Sequence, residues 1–172
     1  MIKKLLVGLL FLLCMGTTVY KVPDTFEKNT QRDWDSILYS IEHTSDTEFV
    51  LLWEGYGGDI DMALDIFNKL NHSKKHIVIR IVGRAVSSHA LVYCYARGLV
   101  EFNKGVLVLH NAFDGRNKDG SKDYTDRTTR HLLDQCITTG ILTQKEADKI
   151  IENKLRLEIY PNYSRMFYKD WG

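Results

Sequence analysis

Three short apolar runs constrain this chain more than any other feature. Residues 48–53 read E-F-V-L-L-W, residues 76–82 read H-I-V-I-R-I-V and residues 106–109 read V-L-V-L. Such runs suit strands of a parallel sheet, covered by other elements. Residues 59–70 between the first two carry Ile60, Ala63, Leu64, Phe67 and Leu70 at helical spacing. Strand, helix and strand in that order predict an α/β fold with a mostly parallel sheet flanked by helices. Each run ends in a chemically distinctive turn: Gly57-Gly58, then Ser87-Ser88, then His110. Ligands of open α/β sheets bind at the carboxyl ends of the strands. Backbone N–H donors, a hydroxyl and an imidazole gathered there are the ingredients of acyl transfer.

Taken singly, these signals have plainer readings. A double glycine serves as a tight turn, a serine at a strand-to-helix turn as a helix cap, and a histidine at a strand end as a structural residue. Their order and convergence carry the argument.

The flanking segments fill in the domain. Residues 1–20 begin with Lys3 and Lys4 and continue as a short apolar block, the layout of a signal peptide or membrane anchor, with a cleavage position before Thr17. Residues 21–30 are polar and read as a linker, and residues 31–172 as the folded domain. Helices are expected over 33–43, 88–97 and 124–137. A further helix opens on the capping-box pair Thr143 and Glu146 and runs to about 157. Residues 111–123 read as a polar loop, and residues 160–171 as an aromatic tail for core packing or an interface.

With 23 basic and 22 acidic residues, no field favours nucleic acid. Cys94 and Cys136 fall in predicted helices and are read as buried small apolar side chains, with a bonded pair as the alternative. Cysteine and histidine lack zinc-ligand spacing, so neither metal nor cofactor is expected.

The ordered set resembles the Clp protease proteolytic subunit and its superfamily, which includes signal peptide peptidases of the serine type and the crotonases. The matching residues are the turn Tyr56-Gly57-Gly58, the elbow Gly83-Arg84-Ala85-Val86-Ser87 and the strand Val106-Leu107-Val108-Leu109-His110. Ser87 follows Gly58 by 29 positions, and His110 follows Ser87 by 23. The resemblance implies a serine-type endopeptidase with Ser87 as nucleophile and His110 as base. It implies an oxyanion hole from the N–H groups of Gly58 and Ser88. Counting back from the C-terminal segment puts Asn153 at the family's aspartate position, with Glu152 and Glu158 as nearby carboxylates. Tyr56 replaces the family's proline, and Ser88-His89 replaces Met-Gly. A peptide or protein substrate, a homo-oligomer, and an exported, periplasmic or membrane-anchored location follow as expectations. The alternatives are an inactive relative acting as an assembly or binding module and, last, a crotonase-like acyl-CoA enzyme.

Overall fold

The computed structural model describes residues 16–116 and 122–170. A seven-stranded sheet runs through it in the order β1-β3-β5-β7-β10-β11, with β6 paired beside β5. Its strands are β1 (Thr17–Lys21), β3 (Glu48–Gly55), β5 (His76–Val86), β6 (Val100–Glu101), β7 (Val106–Leu109), β10 (Leu155–Ile159) and β11 (Arg165–Lys169). β1, β3, β5, β6 and β7 are parallel; β10 and β11 run antiparallel at one edge. The predicted α/β class and all three apolar strands are present.

The side-chain period of two explains the layering. Phe49, Leu51 and Trp53 of β3 and Ile77, Ile79 and Ile81 of β5 share one core with Leu107 and Leu109 of β7. The helices α1 (Gln31–His43), α2 (Ile60–His72), α3 (Val92–Tyr95), α4 (Asp126–Thr138) and α5 (Gln144–Glu152) bury their apolar sides in that core. Val86, Val106 and Val108 form a smaller cluster on the opposite face, with Tyr160 packed on it.

Several expectations need correction. Residues 17–20, read as the end of a leader, form the edge strand β1, in register with β3 from Thr17↔Glu48 to Lys21↔Leu52. Residues 21–30, read as a linker, contain β2 (Thr25–Phe26) and place Val22 and Phe26 in the core. Phe26 stacks on Trp34 with centroids 4.8 Å apart, which polar composition alone hides. The rest of the leader, residues 1–15, lies outside the described residues. The helix expected over 88–97 is broken into a 3-10 turn at Ser87–His89, the short α3 and a second 3-10 turn at Arg97–Leu99.

The last predicted helix stops at Glu152, not near 157. Its capping box forms as expected. Asn153 then caps the helix and Lys154 adopts φ +50°, turning the chain. Residues 155–159 (L-R-L-E-I) become β10, because pairing with β7 buries Leu157 and Ile159. The aromatic tail contributes β11, and the loop 111–123 includes the hairpin strand β8 (Phe113–Arg116), which pairs with β9 (Lys122–Tyr124).

Cys94 and Cys136 are disulfide-bonded, not free thiols. The bond ties α3, just after the serine elbow, to α4. Closing a loop of separation 42 stabilises the fold by about 4 kcal/mol in the chain-entropy picture. Reduction, or Cys94→Ser with Cys136→Ser, is therefore expected to lower unfolding free energy by roughly that amount in a denaturant melt. An unchanged midpoint would show that the crosslink adds nothing.

Candidate active site

The three strand ends converge as the pattern suggested. The strand β4 (Gly57–Gly58) follows β3, Ser87 follows β5 and His110 follows β7. Ser87 and His110 border the same small cavity, walled by Ile60, Leu91, Leu109, Leu132 and Leu133. They also border an open cleft of about 810 Å³ that Tyr56, Gly58, Asp59 and Phe113 help to line.

Ser87 has φ +58°, a left-handed conformation that costs a non-glycine residue roughly 1–2 kcal/mol. It persists because its neighbours impose it. β5 ends at Val86 and the 3-10 turn begins at once, so the chain reverses sharply with Ser87 at the apex. Gly57 makes the close approach feasible: a Cβ there would sit 2.6 Å from Ser87 Cβ, and its φ is +99°. At Gly58, φ +124°, a Cβ would fall 2.3 Å from the Phe26 carbonyl oxygen. Both glycines are therefore sterically required by Ser87 and β2.

Ser88 is buried, and its Oγ donates to the Gly58 carbonyl at 3.2 Å. Its hydroxyl thus ties the elbow to the glycine turn and points away from a nucleophile's role. The Gly57 N–H is also committed, donating to His89 Nδ1 at 3.1 Å.

His110 Nδ1 lies 2.7 Å from the Asn111 carbonyl oxygen. A carbonyl only accepts, so Nδ1 carries the proton, and Nε2 is the basic nitrogen. Burial holds the His110 pKa below the ordinary histidine value. The Asn111 carbonyl and the Asp170 carboxylate oppose that shift, whereas Lys122 adds to it.

Asn111 fixes the backbone that holds His110. Its side chain is fully buried. Nδ2 donates to Asp126 Oδ1 at 2.6 Å, and Oδ1 accepts from Thr129 Oγ1 at 2.5 Å. Thr129 Oγ1 in turn accepts the Ala112 N–H at 2.8 Å.

The expected third member stands elsewhere. Asn153 is exposed at the C-terminal cap of α5, and Glu152 beside it is exposed too. Glu158 lies on β10 opposite Val108 and is engaged by Arg84 at 2.8 Å. Among the described residues, the carboxylate whose charge raises the His110 pKa is Asp170. Its side chain is 3% exposed, 3.0 Å from Lys122 Nζ (6% exposed) and 3.1 Å from the Tyr124 hydroxyl. Lys122 Nζ also lies over the Phe113 ring, whose centroid is 6.1 Å from that of His110. The β10–β11 pairing explains the placement: Leu155 faces Lys169, so Asp170 returns beside Lys154, to whose carbonyl its N–H donates at 3.4 Å. Asp170 therefore lies beside Lys154, the chain neighbour of Asn153, though 17 residues from Asn153 in sequence. Sequence reading missed it because only the hairpin brings it there.

No protein-family model matches the sequence, and no curated protein matches it. Solved structures do. The membrane-bound stomatin-specific protease 1510-N, as an alanine-substituted variant, superposes with TM-score 0.65 at 13% identity, over 86% of this chain and 73% of its own. A second alanine variant of that protease, in complex with a substrate peptide, gives TM-score 0.63 at 14% identity, over 85% and 69%. The ClpP protease catalytic domain from Plasmodium falciparum gives TM-score 0.59 at 15% identity, over 91% and 83%. At these identities the likeness establishes a ClpP-like fold.

Asn111→Ala is expected to cost about 1–3 kcal/mol by removing the buried amide's bonds to Asp126, Thr129 and the Ile151 carbonyl. A thermal melt measures this; a loss under 0.5 kcal/mol, the scale of an ordinary surface substitution, would show that the network does not hold the loop.

Proposed function

We propose that this chain is a serine-type endopeptidase. The observation that carries the reading is the strained left-handed Ser87 at the tip of β5, sharing one cleft with His110. Backbone strain of this kind clusters where a side chain must be presented to a ligand. The similar solved structures are named as proteases, and one of them holds a substrate peptide.

In this reading Ser87 Oγ attacks the carbonyl carbon of a peptide bond as its proton passes to His110 Nε2. The resulting oxyanion is stabilised by N–H groups of Gly58 and Ser88; the Gly57 N–H does not serve, being bonded to His89. Imidazolium returns the proton to the departing amine as the C–N bond breaks. Water, deprotonated by the same imidazole, hydrolyses the acyl-Ser87 ester. Asp170 replaces Asn153 as the third member, favouring imidazolium by its charge, while the Asn111 carbonyl sets the tautomer.

The chain acts on peptide or protein substrates outside the cytoplasm. The basic-then-apolar leader supports export, and a structural disulfide suits an oxidising compartment. Cleavage before Thr17 would release the domain at the first residue of β1. Uncleaved, the leader would anchor it to a membrane. The domain assembles as a homo-oligomer, to which β11, an edge strand with exposed Met166, contributes.

Labelling by a fluorophosphonate is the deciding experiment, because only an activated serine reacts. The wild type should be labelled, Ser87→Ala and His110→Ala should not, and Ser88→Ala should still be labelled. An unlabelled wild type with intact fold would favour the binding-module reading. If His110→Ala is labelled and Lys122→Met is not, the base is Lys122.

Asp170→Asn should slow hydrolysis by less than the roughly 10⁴-fold that a triad Asp→Asn costs where it flips the tautomer. It also strips Lys122 of its anion, so Asp170→Asn with Lys122→Met should recover stability but not full activity. Full recovery in both would make Asp170 merely structural.

The pH profile follows from His110. The group must be neutral to accept a proton, and its pKa lies below the usual 6.5. The acid limb of kcat/KM is therefore expected below pH 6.5, with a plateau through neutrality. A limb above 6.5 would contradict this assignment.

A further inference from the structure

His89, two residues beyond Ser87, is fully buried in the described structure. Its ring sits among Phe26, Trp53 and Trp34, with centroids at 4.3, 5.4 and 6.3 Å. Both ring nitrogens are used. Nδ1 accepts the Gly57 N–H at 3.1 Å, and Nε2, which therefore carries the proton, donates to the Pro23 carbonyl at 3.0 Å. The His89 carbonyl accepts from Trp53 Nε1 at 3.0 Å. Residue 89 thus joins three separate pieces: the glycine turn after β3, the segment leading into β2, and the core tryptophan of β3.

The same segments meet at further points. The Asp24 carbonyl accepts the Tyr56 N–H at 2.8 Å, and the Phe26 carbonyl accepts the Asp59 N–H at 2.6 Å. Gly55 is pressed so closely that a Cβ would lie 2.5 Å from His89 Nε2. Each contact fixes the path of residues 55–59, which carry Gly58 past Ser87.

We propose that His89 is a positioning residue of the active site, holding the glycine turn and the N-terminal segment 22–26 in fixed relation to the serine elbow. The inference rests on the peptidase reading and adds what keeps its oxyanion hole in place. It also makes residues 22–26, which follow the leader, an integral part of the catalytic apparatus. Neutral imidazole is required, because imidazolium donates from both nitrogens and cannot accept the Gly57 N–H. Burial supplies it by pushing His89 down to about 4, against the opposing pull of the Pro23 carbonyl and of Asp24.

Two near-isosteric variants divide the clamp. His89→Asn places an amide oxygen where Nδ1 accepts, and so keeps the Gly57 bond while losing the Pro23 bond. His89→Gln places its amide where Nε2 donates, and so keeps the Pro23 bond while losing the Gly57 bond. A misplacement of about 1 Å costs up to about 10²-fold in rate. His89→Gln is therefore expected to lower kcat and fluorophosphonate labelling about 10- to 100-fold with KM little changed. His89→Asn should stay within about tenfold of wild type. Equal rates for the two variants, or wild-type rates for both, would overturn the proposal. So would a loss that appears only in KM. A measurement on the wild type needs no variant to fold: ¹⁵N spectra at neutral pH should show His89 protonated at Nε2 alone, with a protected Gly57 amide. A proton on Nδ1 would overturn the clamp. If wild type fails to label although the ¹⁵N pattern is as expected, the peptidase reading fails and the clamp is only structural.

Discussion

The parallel pairing of β3, β5 and β7 is the constraint on which the rest depends. Its register sets Gly55 against Ala85 and Ala85 against Leu107, so the three strands terminate at a common edge. Parallel strands all deliver their carboxyl ends to the same side, whereas antiparallel strands would alternate. Glycine turn, serine elbow and histidine are therefore neighbours despite sequence separations of 29 and 23 residues. The core holds that register. A one-residue slip of β5 would turn Ile77, Ile79 and Ile81 out of the core and Arg80 into it.

Around this edge the structure is unusually committed. The elbow is strained at Ser87, and the strain is sustained by contacts on each side. Gly57 presses on Ser87, Ser88 bonds to the Gly58 carbonyl, and His89 reaches both the turn and residue 23. Below the elbow, the Cys94–Cys136 bond fixes α3 to α4, and α4 supplies Thr129, which secures the backbone after His110. Preorganisation of this type is what electrostatic stabilisation of a developing oxyanion requires, since donors that must rearrange lose much of their effect.

Charge near His110 is balanced, not maximised. The Asn111 carbonyl and Asp170 favour imidazolium, but desolvation, joined by Asp170's buried partner Lys122, outweighs them and keeps the ring neutral. The arrangement favours the neutral imidazole at neutral pH. The fold that carries these groups is similar to those of known proteases at 13% and 15% identity.

The amino-acid sequence by itself determined the α/β class, the three apolar strands, the capping box at Thr143, and Ser87 and His110 as residues at strand ends. These follow from local causes: period-two burial, glycine at a turn, a hydroxyl at a helix start. Only the tertiary structure decided the rest. Residues 17–20 read as leader because they continue the apolar block, and residues 21–30 as linker because their polar composition conceals Phe26, whose burial depends on Trp34 and Trp53 closing over it. Residues 155–157 read as the end of a helix, but β7 offers a pairing edge that buries Leu157 and Ile159 and draws residues 155–159 into a strand. Asp170 comes beside Lys154 because an antiparallel hairpin returns it there, and Cys94 meets Cys136 because two helices pack across the core. Contacts between residues distant in sequence leave no local periodicity to read, so these features emerge only when the chain is folded.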